Sequence, residues 1–124
     1  MAITTATAVE LVRAWERMQV HYVPHWLARW EMLLADLASA LGHRPARVLD
    51  IGCGTGPLSW RLAQRFPHAS VLGVDADDAL IQIARAGHPP LPTLHFEAMW
   101  AEDLAARPEE ARTYDAIVSS AVVH

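Results

Sequence analysis

Apolar residues recur along this chain at two periods, and the changes of period divide it into elements. Over residues 7–22, Val9, Leu11, Val12, Trp15 and Met18 stand at helical spacing among Glu and Arg, which predicts a short amphipathic helix. Pro24 ends that segment and starts the next. From there to Leu41 the positions Trp26, Trp30, Leu33, Leu34, Leu37 and Leu41 step by three and four, and Gly42 follows where a C-cap glycine belongs. The pattern then shortens, because Val48, Leu49 and Ile51 form the brief apolar run of a parallel strand covered on both faces.

Leu58, Leu62, Ala63 and Phe66 restore a helical stripe from about Pro57 to Phe66, with Arg61, Gln64 and Arg65 opposite. Val71 to Asp75 reads as a second buried strand. Ala79, Leu80, Ile83 and Ala84 mark another helix, capped by Asp77 and ending before Gly87 and the Pro89-Pro90 turn. Leu94, Phe96 and Ala98 alternate with polar neighbours as a third strand, and Tyr114 to Ser119 forms a fourth. Strands separated by helices imply parallel pairing through right-handed crossovers. The expected fold is therefore α/β, a doubly wound parallel sheet of about four strands preceded by two helices.

Composition narrows the function classes. With 124 residues, 52% of them hydrophobic, the chain has enough material for one core. No run approaches the roughly 18 apolar residues of a membrane span, and the N-terminus lacks the basic-then-apolar order of a secretory signal, so a cytoplasmic protein is expected. The net charge of −4, with no lysine and no basic cluster in the sequence, argues against nucleic acid as a partner. Cys53 is the single cysteine, which excludes an internal disulfide and a thiolate zinc cluster. Among seven histidines, His21 and His25 are four apart, but Pro24 interrupts the helix they would share, and no metal is expected. No internal repeat or low-complexity segment is present.

The chemistry concentrates at Asp50-Ile51-Gly52-Cys53-Gly54-Thr55-Gly56, between the first strand and a helix opened by Pro57. Glycines at alternate positions let the backbone turn sharply and approach a ligand. A dinucleotide fingerprint needs its third glycine three residues after the second, where this chain has Pro57 or Ser59. The order D-x-G-x-G-x-G instead closely resembles the first motif of the class I S-adenosylmethionine-dependent methyltransferases. Three further stretches extend the resemblance over residues 44–124: Asp75 at the end of the second strand, Trp100-Ala101-Glu102-Asp103-Leu104, which resembles a D-A-E-D-L stretch, and Tyr114 to His124, which resembles the fourth-strand motif.

The resemblance implies a Rossmann-like fold and S-adenosylmethionine as cofactor, with S-adenosylhomocysteine as product. It places Asp75 on the ribose cis-diol and Asp50 toward the ligand's ammonium group, directly or through water. Gly52 and Gly54 would approach the methionine part, with Cys53, Gly56, Ala76 and Ser119 completing the contacts. Ala101, Glu102 and Asp103 would lie beside the adenine. Trp100 departs from the pattern, standing where an Asp is usual, and is expected either to stack or to pack in the core. Ser119, Ser120 and His124 are candidates for the methyl-transfer cleft, and His124 is a candidate base, although as the last residue it reads more simply as a frayed end. Trp15, Tyr22 and Trp26 on the N-terminal helices could touch a substrate, but core packing explains each of them as well.

The family's fold has seven strands and this sequence has four. The connection from Ala105 to Thr113 is too short for the helices that cover the second face, which is expected to be bare. Such a face measures roughly 300 Å², and leaving it in water forfeits on the order of 7 kcal/mol. The expected organisation is an N-terminal helical segment, 1–43, and a cofactor-binding part, 44–124, incomplete at its C-terminus. A missing C-terminal half or a second copy of the chain would cover the edge of the fourth strand. The expected function is methyl transfer to a small-molecule acceptor. The rival readings are a non-catalytic nucleoside-binding or protein-interaction module on the same scaffold and, third, a nicotinamide site.

Overall fold

The computed structural model describes residues 4–22, 26–107, 109 and 113–119, with side chains described outside 15–22, 26, 27 and 105. In chain order the elements are α1 (Thr5–Tyr22), α2 (Trp26–Leu41), β1 (Ala46–Ile51), α3 (Pro57–Arg65), β2 (Ala69–Asp75), α4 (Asp78–Gly87), β3 (Leu94–Ala98), α5 (Ala101–Ala105) and β4 (Ala116–Ser119). Among the described residues the strands form one sheet in the order β3-β2-β1-β4, and every pairing is parallel. This is the expected Rossmann-like α/β arrangement. The proposed break at Pro24 and the side chains of Trp15, Met18, Tyr22 and Trp26 lie outside the described residues, as do Ser120 and His124.

Alternation along the strands sorts the core into two layers. On one face, Ala46, Val48, Ala69, Val71 and Val118 pack against Leu58, Leu62, Ala63 and Phe66 of α3 and Leu34, Leu37 and Leu41 of α2. The stripe that predicts α2 is thus the one it buries. Phe96 of β3 joins Cys53 and the α4 residues Ile81 and Ala84 in a second cluster. Asp77 caps α4, its carboxylate accepting from the backbone N–H groups of Ala79 and Leu80.

The opposite face is not bare. Leu49 and Val74 are 0% and 1% exposed, packed with Leu104 of α5 and flanked by Met99, Tyr114, Ile51 and Leu72. The strand order explains the difference from expectation: β1 and β2 are central, so the short passage from Met99 to Leu104 crosses the part of the face with most to lose. Apolar exposure remains at the margin, where Ile117 of β4 is 51% exposed. The entry to β4 is anchored by Asp115, whose carboxylate accepts from Arg47 N at 2.8 Å while its own N–H donates to Arg47 O at 2.8 Å. The Arg47 guanidinium lies 4.4 Å from the Tyr114 ring centre.

Two further departures concern α1 and α4. Among the described side chains of α1 the buried ones are Ala8 and Val12, whereas Leu11 is 43% exposed. The helix packs on α4, and α4 continues through Gly87 rather than ending before it. A Cβ at Gly87 would stand 2.9 Å from Val12 Cγ2 and 3.1 Å from Ala8 O, so this last residue of α4 is also a point of close approach between two helices.

Gly87→Ala therefore tests this packing by the sign of its effect. Helix propensity alone predicts a gain of up to about 1 kcal/mol. The crossing predicts a loss of about 1–3 kcal/mol from overpacking. Urea unfolding of the two proteins separates the outcomes.

Candidate functional site

The loop between β1 and α3 is held in an unusual conformation from several sides. Gly52, Gly54 and Gly56 have φ of 70°, 58° and 85°. Cys53 N–H donates to Val74 O at 2.9 Å, carrying the β1–β2 pairing into the loop, and Gly56 N–H donates to Cys53 O at 3.0 Å. Gly56 precedes Pro57 and starts α3, with Trp60 N–H donating to Gly56 O. A Cβ at Gly56 would meet Phe96 Cζ at 2.5 Å, so glycine is required there by close approach as well as by φ. At Gly54 the added Cβ would meet nothing within 4 Å. The loop thus leans on the core through Gly56 and leaves open space beside Gly54.

Asp75 ends β2 beside that open space. Its Oδ2 accepts the Gly54 N–H at 3.0 Å and its Oδ1 accepts the Asp77 N–H at 2.9 Å. An ionised carboxylate offers about four acceptor positions, so each oxygen keeps capacity for a further donor. Ala76 is exposed immediately after it.

Asp50 is placed differently. It is 0% exposed, and the Ser59 hydroxyl donates to its Oδ2 at 2.7 Å. In this conformation the carboxylate is buried at the end of β1 and tied through Ser59 to the first turn of α3. Gly73 is paired with Asp50 in the β1–β2 register, and a Cβ there would stand 2.7 Å from Ser59 Oγ. Ser59 and Gly73 were not singled out from the sequence. The available signal was a hydroxyl beside Leu58 and Leu62 on the buried side of α3.

The two carboxylates shape the electrostatics. Burial, followed by the charges of Asp50 and Asp75, pushes the Cys53 thiol far above its ordinary range. Cys53 is 3% exposed and therefore stays a protonated thiol, not a nucleophile.

His88, also not anticipated, lies behind the loop. Its Nε2 is 2.8 Å from Thr55 O, and since a carbonyl only accepts, Nε2 carries the proton. The ring lies near-parallel to Trp60 at 6.0 Å and to Phe96 at 6.4 Å. Thr55 Oγ1 is buried with no hydrogen-bond partner among the described residues.

The remaining expected residues gather at the carboxyl ends of the strands. Met99 N–H donates to Asp75 O at 2.9 Å, which brings the start of α5 next to β2. Ala101, Glu102 and Asp103 are exposed in the first turn of α5, where the two acids also suit the positive end of the helix. Trp100 is 64% exposed, which rules out the core position considered for it. Ser119 is paired with Ile51 in register, and its hydroxyl donates to Ile51 O at 3.2 Å. Among the described residues, no cluster of three or more His, Cys, Asp or Glu side chains is arranged to hold a metal ion, and no helix is long and apolar enough to cross a membrane.

Comparisons with known proteins agree with this geometry. A methyltransferase domain family matches residues 48–124. The trans-aconitate 2-methyltransferase of Deinococcus radiodurans is 51% identical over 63 residues, covering 50% of this chain and 24% of the relative. The malonyl-[acyl-carrier protein] O-methyltransferase of Halalkalibacterium halodurans is 35% identical over 104 residues, covering 83% of this chain and 38% of the relative. The chain thus spans well under half the length of either. The crystal structure of a SAM-dependent methyltransferase from Agrobacterium tumefaciens superposes with a TM-score of 0.62 at 28% identity, covering 77% of this chain and 31% of that one. Since the family match takes in more than half of the residues and runs through the glycine loop, Asp50 and Asp75, the chain belongs to the class I S-adenosylmethionine-dependent methyltransferases.

Proposed function

We propose that this chain is the cofactor-binding part of an S-adenosylmethionine-dependent methyltransferase whose acceptor is a small organic molecule. The observation that carries the reading is Asp75, fixed by the Gly54 N–H at the end of β2 with acceptor capacity to spare, next to the space beside Gly54 that a side chain would fill. That pairing suits a ligand with a vicinal diol and a cationic segment. When bound, S-adenosylmethionine supplies an electrophilic methyl group on a sulfonium.

The chain's own residues then do the positioning. Asp75 accepts the ribose hydroxyls, and the backbone at Gly52 and Gly54 lets the methionine part approach. Asp50, through Ser59, keeps the loop in place. Ala76, Ala101, Glu102 and Asp103 line the adenine side. Ser119 has committed its proton to Ile51 O, so its oxygen is left to accept from a ligand. Displacement at a methyl group depends mainly on alignment, which rigid attachment of the loop to both β2 and α3 favours.

One observation supports a small acceptor over a nucleic acid. Asp75, Asp77, Asp78, Glu102 and Asp103 collect at the carboxyl ends of β2 and β3, where they would repel phosphates. β4 has β1 on one side and, among the described residues, no strand on the other. The acceptor side is completed along that edge, by further chain or by a second copy.

Calorimetric titration with S-adenosylhomocysteine tests the cofactor reading. Binding to the native chain is expected, with Asp75→Ala weakening it by about 1.5–3 kcal/mol through loss of charged hydrogen bonds. A folded native chain that binds no S-adenosylhomocysteine overturns the reading and favours an interaction module on the same scaffold.

The Cys53 thiol provides a separate check on the site. The folded thiol keeps its proton to higher pH than the unfolded one, whose ordinary value is 9.0. Above that pH the unfolded state loses its proton first, so stability falls as pH rises, by up to about 1.4 kcal/mol per unit. Chemical denaturation between pH 8 and 10 should show this slope in the native chain, with Cys53→Ala flatter. Native Cys53 should also resist iodoacetamide at pH 8 until the chain unfolds.

A further inference from the structure

The end of the sheet opposite the glycine loop carries a second concave site. A cavity of about 290 Å³ lies at the amino ends of β1 and β2, lined by the turn that follows α2 and the turn that follows α3. His43 and Arg44 come from the first turn, Arg65 and His68 from the last residue of α3 and the second turn, and no carboxylate is among the lining residues. Leu41 and Phe66, 4% and 8% exposed, supply an apolar floor. The His43 and His68 rings meet edge to face with centres 6.3 Å apart, so the two turns are brought together across the cavity.

Helix termini account for part of this charge. The C-terminal ends of α2 and α3 both point here, and each helix end carries about half a negative charge. Arg44 sits over the first, its Nη2 3.5 Å from Ala40 O. Two guanidiniums against two such ends still leave a surplus of about one positive charge, before either imidazole is counted. In a chain of net charge −4, a concave surface with this surplus is a local reversal of sign.

We propose that this cavity is a binding site for a small phosphate monoester, separate from the glycine loop. Two guanidiniums and two imidazoles on the lining offer donors to the several acceptor oxygens of a tetrahedral dianion, and guanidinium pairs with phosphate in a two-point fashion. The floor of Leu41 and Phe66 receives a compact apolar or planar body. The volume is near the lower end of small-molecule sites, about 300 Å³, and suits a small ligand. The inference does not rest on the methyltransferase function, since no residue is shared with the glycine loop or Asp75.

Phenyl phosphate is the probe, added at constant ionic strength while the histidine ring signals are followed by NMR. Saturable shifts of His43 and His68 are expected, with the ring of His95, exposed on β3, unchanged. Arg44→Gln and Arg65→Gln should each weaken the apparent affinity at least about tenfold. Their combination should abolish the shifts, and Asp75→Ala should leave them intact. Because each single variant reads the same loss, the test does not depend on the double variant. Shifts that grow linearly without saturation, that sodium chloride reproduces, or that survive in the single variants overturn the proposal.

Discussion

The hydrogen bond from Ser59 to Asp50 is the constraint on which the site depends. Asp50 is enclosed at the last turn of β1, and a carboxylate in that position is costly unless its oxygens are paired. Ser59, nine residues on, meets the need from the first turn of α3, so the strand and the helix are tied together beneath the loop that joins them. The tie needs room, which Gly73 supplies on the adjacent strand. Between the two ends of the loop the glycines take positive φ, and Gly56 lies against Phe96. The loop then presents Gly54 N–H to the Asp75 carboxylate at the end of β2.

The two ends of the sheet differ in charge, as they differ in what they expose. At the carboxyl ends of β2 and β3, Asp75, Asp77, Asp78, Glu102 and Asp103 concentrate negative charge. At the amino ends His43, Arg44, Arg65 and His68 surround an apolar floor. Net charge hides this division. Parallel strands place all strand starts together and all strand ends together, so residues from successive αβ turns collect at one end and those from βα turns at the other.

Several differences from the sequence-based expectations share one cause. The sheet's second face was expected to be bare because the segment after Ala105 is short; it is covered at its centre because the sheet order places Leu49 and Val74 under Leu104. Gly87 reads as the stop just after α4; it is instead the last residue of that helix and lies against Ala8 and Val12 of α1. Leu11 fits an amphipathic stripe and is nonetheless largely exposed, while Ala8 beside it is fully buried. Trp100 was open to a core position and projects outward instead. In each case residue type describes a preference, and the partner that decides it comes from another part of the chain.

What the sequence determined by itself is therefore what depends on neighbours along the chain. The period of apolar residues located the helices and strands, Asp77 marked the start of α4, and D-x-G-x-G-x-G with Asp75 identified the loop, the second carboxylate and the family. These signals are local, since side-chain period follows from backbone geometry and positive φ from the absence of a Cβ. Only the tertiary structure decided that Asp50 would be buried under Ser59, that Gly73 and Gly87 serve close approach, that His88 holds Thr55 from behind, and that two turns more than twenty residues apart form one cationic cavity. Those features are distances between residues remote in sequence, set by how the helices and strands pack against one another, and no local period records them.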